Sequence, residues 1–232
     1  MTLSGKRKND SKNSQMIIIV GILVVAVIAA GVAIFVSTNN SSLGLADIDY
    51  SEIPQSRTED GAFVLGNEDA PVTFVLFEDF LCPHCQEYQP AVHDMIAGLV
   101  ATGQAKMEFR MVQTNQVSYI PFSLAECANI IEPGSFWDAH DTMFELASAR
   151  TFNENTPREF AEQMDIPYGD LLTCQPTATQ YQVDGQFVQR FDWFTGTPAV
   201  GVRFNDGPVQ QNALLSGRPT LPQFEQVVAM AQ

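Results

Sequence analysis

Residues 80–86 read FLCPHCQ: an apolar run, two cysteines separated by Pro83 and His84, then a polar residue. A Cys-x-x-Cys pair supports three chemistries: half of a zinc site, a short structural bridge, or a disulfide that exchanges electrons. The flanking sequence narrows the choice. Residues 72–77 (VTFVLF) are nearly all apolar and rich in β-branched and aromatic types, which predicts a central strand covered on both faces. After the pair, Tyr88, Ala91, Val92, Met95, Ile96, Leu99 and Val100 recur at spacings of three and four, the period of a helix face. Pro90 predicts a kink and Gly103 a stop.

Residues 106–113 (KMEFRMVQ) alternate, with Met107, Phe109 and Met111 on one side, and predict a second strand. Strand, helix and strand form a βαβ unit with parallel strands. Ser123 with Glu126 and Thr156 with Glu159 read as capping boxes, the latter with Pro157 at the first helical position. Helical segments, residues 136–146 among them, fill a stretch expected at about 119–192. Strand character returns at 199–204 (AVGVRF), turns at Asn205-Asp206-Gly207 and is expected to resume over 209–215 as a hairpin. A helix over 220–231 closes the chain. No internal repeat is visible.

Cys82 therefore falls where a buried strand gives way to a helix N-terminus. Unpaired N–H groups and the positive end of the helix dipole stabilise an anion there, so the thiol becomes more acidic. Cys85 follows on the same face within bridging reach. An imidazolium at His84 would add to the effect. Zinc needs two further ligands, yet Cys127 and Cys174 stand apart and His93 and His140 form no short-spaced pair. A purely structural bridge across so short a loop restricts little unfolded-chain freedom. Redox exchange is the favoured reading, with no cofactor and no metal. Gly196-Thr197-Pro198 stands just before a strand, a place where proline marks a special turn and can carry a cis peptide.

Residues 16–36 form an apolar run of 21 residues, about 31 Å as a helix and enough to span a bilayer. Lys6, Arg7, Lys8 and Lys12 precede it and acids follow it, so the positive-inside rule places the N-terminus in the cytoplasm and the remainder outside. A cleaved secretory signal is the alternative; the length of the run favours a retained anchor. The expected organisation is a basic tail (1–15), an anchor (16–36), a polar tether (37–61) and a folded domain (62–232). Four of the twelve basic residues and one of the 27 acids lie before residue 37, leaving eight bases against 26 acids, a net of −18. Nucleic acid and anionic lipid are poor partners for such a domain.

GNEDAPVTFVLFEDFLCPHC at 66–85, FWDAHDTMF at 136–144 and TGTPAV at 195–200 together resemble the membrane-anchored DsbA-like thiol:disulfide oxidoreductases of the bacterial cell envelope. The resemblance covers about 62–232. It implies an α/β thioredoxin-like fold with a helical insertion, Cys82 as exposed nucleophile and Cys85 as resolving partner. Pro198 would be a cis-proline, with Thr197 facing the disulfide and offering backbone to an extended substrate. Exported polypeptides with reduced cysteines would be the substrates, and a membrane quinone-linked protein of the DsbB or vitamin K epoxide reductase type would reoxidise the pair.

One departure stands out: many thioredoxin-fold enzymes carry a buried acid six residues before the first cysteine, where this chain has Leu76. Glu78 and Asp79 are acids near the pair that would raise the Cys82 pKa if they approach it. In an oxidising compartment two free thiols beside an oxidase would not persist, so Cys127 and Cys174 are expected to be bridged, with two separately buried thiols as the alternative. His140 reads as a packed or capping histidine and His93 as exposed. A reductase or isomerase, or a copper or zinc carrier, would use the same residues. A monomer is the simplest assembly.

Overall fold

The computed structural model describes residues 47–149 and 152–231, together with Leu43 and Leu45. The tail, the anchor over 16–36 and the first part of the tether lie outside the described residues. Among those described, no helix is long and apolar enough to cross a membrane.

Five strands form one sheet: β1 (Gln55–Arg57), β2 (Phe63–Leu65), β3 (Val72–Glu78), β4 (Lys106–Met111) and β5 (Ala199–Phe204), in spatial order β1-β2-β4-β3-β5. β3 and β4 run parallel, with Val75 opposite Glu108, and every other pairing is antiparallel. The parallel pair demands a crossover, which α1 (Pro83–Met95) supplies. α1 continues through Pro90, which lacks the N–H that would return to Gln86, and opens into a wide π turn at Ile96–Val100. Gly103 takes a left-handed φ of 74° in the turn beyond.

β3 is buried along its whole length, as its unbroken apolar run predicts. Phe74 on one face meets Phe224 of α7 (Leu221–Ala229) edge-on at 4.7 Å. Phe77 on the other face is surrounded by Phe187, Phe191, Trp193 and Phe194. The alternation expected in β4 holds, but its polar side is also covered. Arg110 is buried and binds Asp60 at 2.8 Å, Glu108 at 2.6 Å and Asp184 at 3.0 Å, and Arg203 binds Glu108 at 3.0 Å. Burying a guanidinium is tolerable only with this many carboxylate partners.

Among the described residues, five α-helices lie between β4 and β5: α2 (Tyr119–Ile131), α3 (Phe136–Ala149), α4 (Thr156–Gln163), α5 (Tyr168–Cys174) and α6 (Gln180–Val188). A Cys127–Cys174 disulfide ties α2 to the end of α5.

Several local expectations are corrected. Ser123 caps nothing: it lies inside α2, donating to the Ile120 carbonyl at 2.9 Å, while Glu126 accepts the Gln180 N–H at 2.9 Å and so satisfies the first turn of a different helix, α6. At α4 the Thr156 hydroxyl accepts from the Asn153 N–H at 3.0 Å, and Asn155 is the N-cap. The second hairpin strand over 209–215 is absent. Asn205 and Asp206 both adopt positive φ and make the turn, but the returning chain forms one bridge, Val202 to Gln210, before a 3-10 turn at Ala213–Leu215. The polar run Gln210-Gln211-Asn212 has no alternating apolar face to hold it to the sheet.

Residues 50–57, expected as tether, join the fold. Tyr50 is buried in a 3-10 turn and β1 pairs with β2. The tyrosine is held because its hydroxyl donates to Asp141 at 2.7 Å. His93, expected on the surface, is 1% exposed; its Nε2 binds Asp141 at 3.1 Å, and His140 Nδ1 binds the same carboxylate at 2.9 Å. One acid on α3 thus makes two buried imidazoles affordable.

Candidate active site

Cys82 is the N-cap of α1, with extended backbone, and Pro83 follows at the first helical position. The Cys82 carbonyl accepts the Cys85 and Gln86 N–H groups at 3.0 and 3.1 Å, so the helix begins on the residue that bears the first sulfur. Pro83 is suited to this place, because its missing N–H would have had no partner and its fixed φ already matches the helix. Cys82 and Cys85 are not bonded to one another.

The two sulfurs occupy different environments. Cys85 is fully buried and its thiol is pushed up, first by burial, then by its hydrogen bond to Cys82 and by the charge of Glu78. Cys82, at 8% exposure, is more enclosed than the exposed nucleophile the resemblance implies. Its thiol is nonetheless lowered to about 5. The hydrogen bond from Cys85 is the main cause; burial opposes it, and the Thr197 hydroxyl and the backbone N–H groups of Cys85 and His84 add to it.

His84 corrects a further expectation. Its ring is exposed and lies 3.5 Å from Glu87, which also binds Arg218 at 2.8 Å. Its backbone N–H helps to lower the Cys82 thiol, while its ring is turned toward Glu87.

Across from the pair, the Thr197–Pro198 peptide is cis, and the Thr197 carbonyl accepts from Cys82 Sγ at 3.5 Å. Proline at the head of β5 leaves the sheet edge without one N–H and turns the Thr197 backbone toward the sulfur. Sequence elements 115 residues apart are thereby brought together.

The two acids separate. Asp79 is locked in the loop, accepting from Leu81 N–H, Thr114 N–H, Thr114 Oγ1 and Ser118 Oγ at 2.5–2.9 Å. Glu78 is fully buried, and its carboxyl is raised to about 8 by burial, against the Gln89 hydrogen bond, with the Cys82 charge adding to the rise. Gln89 Nε2 donates to Glu78 Oε2 at 3.1 Å and to the Cys85 carbonyl at 3.3 Å. The sequence carried a signal for this: Glu78 is in phase with Phe74 and Leu76 on β3, so alternation directs it to the same covered face.

Among the described residues, no three or more His, Cys, Asp or Glu side chains gather where a metal ion could be held. The site holds a pair of thiols with unequal affinity for protons, with the Thr197 backbone carbonyl beside the first of them, an arrangement suited to thiol–disulfide exchange.

Comparison with known proteins agrees with this geometry. The thioredoxin family model matches residues 58–187. The Na(+)/H(+) antiporter NhaA 3 of Salinispora tropica is 27% identical over 158 residues, covering 65% of this chain and 23% of the antiporter. A second antiporter, NhaA 1 of Salinispora arenicola, is matched over 15% of its length, so the chain spans under a quarter of either. Disulfide bond formation protein D of Bacillus subtilis is 29% identical over 159 residues, covering 56% of this chain and 71% of that protein. The crystal structure of Wolbachia pipientis α-DsbA1 superimposes with a TM-score of 0.64 at 14% identity, over 75% of this chain and 92% of that one. With more than half its length inside the family match, the chain belongs to the thioredoxin family, and its fold is like that of α-DsbA1.

Proposed function

We propose that the chain is an extracytoplasmic thiol:disulfide oxidoreductase that donates a Cys82–Cys85 disulfide to exported proteins through a mixed disulfide. The observation that carries this reading is the asymmetry of the two sulfurs, Cys82 acidified to about 5 at a helix start and Cys85 buried and pushed up. In the oxidised enzyme a substrate thiolate attacks Cys82 Sγ. The Cys82–Cys85 bond breaks, Cys85 leaves with the electron pair and takes a proton, and Cys82 is joined to the substrate. A second substrate thiolate then attacks the substrate sulfur of that bond, the substrate disulfide forms, and Cys82 departs as a thiolate. Two electrons have entered the enzyme. A leaving thiolate this stable drains the disulfide toward substrates, which favours the oxidase over a reductase or isomerase working at the same site.

The Thr197 carbonyl and N–H, beside cis-Pro198, offer backbone partners to an extended substrate segment. The charged flanks of residues 16–36 support placement outside the membrane, and the Cys127–Cys174 bridge is in keeping with an oxidising compartment. A quinone-linked membrane protein of the DsbB or vitamin K epoxide reductase type would accept the electrons. Oxidised protein is expected to refold a reduced, disulfide-dependent enzyme, and the Cys85→Ala variant to accumulate mixed disulfides on Cys82. Protein that only reduces insulin disulfides, and a variant that traps nothing, would contradict the oxidase.

A further inference from the structure

Of the buried side-chain atoms that lack a hydrogen-bond partner, three surround the Cys pair: Glu78 Oε1, Gln89 Oε1 and Thr197 Oγ1. Buried polar atoms are nearly always satisfied, so such a cluster calls for an explanation. Thr197 Oγ1 is accounted for by the Cys82 sulfur, which its hydroxyl helps to acidify. The other two belong to one couple, in which Gln89 bridges the Glu78 carboxyl and the backbone of Cys85.

The chemistry above leaves a proton unaccounted for. When the disulfide opens, Cys85 departs as a thiolate inside a fully buried site, where its charge is strongly disfavoured. Leu76, at the position where an acid is common, has no proton to give. Two residues further along the same face of β3 stands Glu78, which Gln89 links to the backbone of Cys85.

We propose that Glu78 is the proton donor to Cys85 as the disulfide opens, and its acceptor when the disulfide re-forms, with Gln89 holding the carboxyl in place through both states. This rests on the oxidoreductase reading. In the forward step the substrate sulfur bonds to Cys82 Sγ, the Cys85 sulfur keeps the electron pair of the broken bond, and the proton of Glu78 passes to it. Cys85 ends as a thiol and Glu78 as a carboxylate, which later regains a proton from solvent. Burial keeps the acid protonated at neutral pH, so the proton is present before the substrate arrives.

Gln89 suits both states. Its Nε2–H supports the carboxylate in the orientation seen; with the amide reversed, its unpartnered Oε1 accepts from the protonated acid. A lysine or arginine there could serve only the carboxylate. The titratable groups that sense the Glu78 charge are Cys82 and Cys85, at the start of α1, and Tyr88 one turn on. The facing residue of β4 is Met111, which is neutral, and Asp79 is turned into its own loop.

The test follows reduction of the oxidised full-length protein by glutathione across pH 6–10, with each rate divided by the glutathione thiolate present. The wild type is expected to show a constant rate that bends downward as Glu78 loses its proton, at or somewhat below pH 8 because Cys82 carries no charge once it is in the disulfide. Glu78→Gln is expected to be at least about tenfold slower at pH 7 and to lack the bend, in line with general acid catalysis. Gln89→Leu removes the donor that favours the carboxylate and is expected to move the bend to higher pH; this variant carries the test if Glu78→Gln does not fold. A Glu78→Gln rate within twofold of wild type, or a bend unmoved in either variant, overturns the role of Glu78. A wild type that exchanges with glutathione but shows no bend does the same. Failure of the wild type to exchange at all would instead overturn the oxidoreductase reading.

Discussion

Three residues apart on one helix start, two thiols are driven in opposite directions by neighbours a few ångströms away. Cys82 gains from donors that converge on it and Cys85 loses through burial. Because His84 contributes its backbone N–H while its ring is turned toward Glu87, His84→Ala is expected to move the Cys82 ionisation midpoint by less than about half a pH unit. A shift of a full unit on thiolate titration would restore the imidazole to the account. Glu78 has a stability consequence of definite sign. Its folded-state pKa of about 8 lies above the ordinary value of 4.5, so the folded protein holds this proton more tightly than the unfolded chain. Its contribution is most favourable below about pH 4.5 and declines as pH rises to about 8, by a few kcal/mol. Glu78→Gln removes that decline: urea unfolding of the protein with Cys82 and Cys85 reduced should show the variant gaining on wild type between pH 5 and pH 8.5. A constant difference between them would contradict the burial of an ionisable acid.

At the scale of elements, the disulfide between α2 and α5 closes a sequence separation of 47 residues. The chain-entropy relation gives about 4 kcal/mol for a loop of that length. The Cys127→Ala/Cys174→Ala double variant is therefore expected to lose up to that amount in urea unfolding while keeping its thiol exchange, and an unchanged midpoint would show that helix packing alone holds the insertion. The βαβ unit was legible because an unbroken apolar run marks a strand between two apolar layers, a period of three and four marks a helix with one buried face, and the alternation of β4 marks a strand with one apolar face and one face filled by paired charges. The proline turn and the Cys pair were legible for a related reason: each needs a residue that few others can replace. Caps and hairpins were less so. Ser123 and Glu126 have the spacing of a capping box, but the tertiary structure spends Glu126 on the N–H of Gln180 instead. His93 was misread because its partner, Asp141, lies on another helix, and no local pattern announces a carboxylate 48 residues away. β1 was missed because three residues of a polar segment make a strand only when β2 is beside them.

For the whole molecule, the sequence places a strongly acidic domain after an apolar segment whose nearest charged neighbours are basic before it and acidic after it. The full-length chain is expected to sediment with membranes after a carbonate wash, and deletion of residues 1–36 to release a soluble domain. Recovery of the full-length chain in the soluble fraction would contradict the anchor. A tethered oxidant would act on chains as they emerge and would meet its reoxidase in the same membrane. Both uses depend on how willingly Cys82 leaves a bond, and the most direct test is the ultraviolet thiolate titration of the reduced full-length protein, with Cys82→Ala subtracted. A midpoint at about pH 5 is expected, whereas one near pH 9, the ordinary thiol value, would contradict the assignment of Cys82 as a stabilised leaving thiolate.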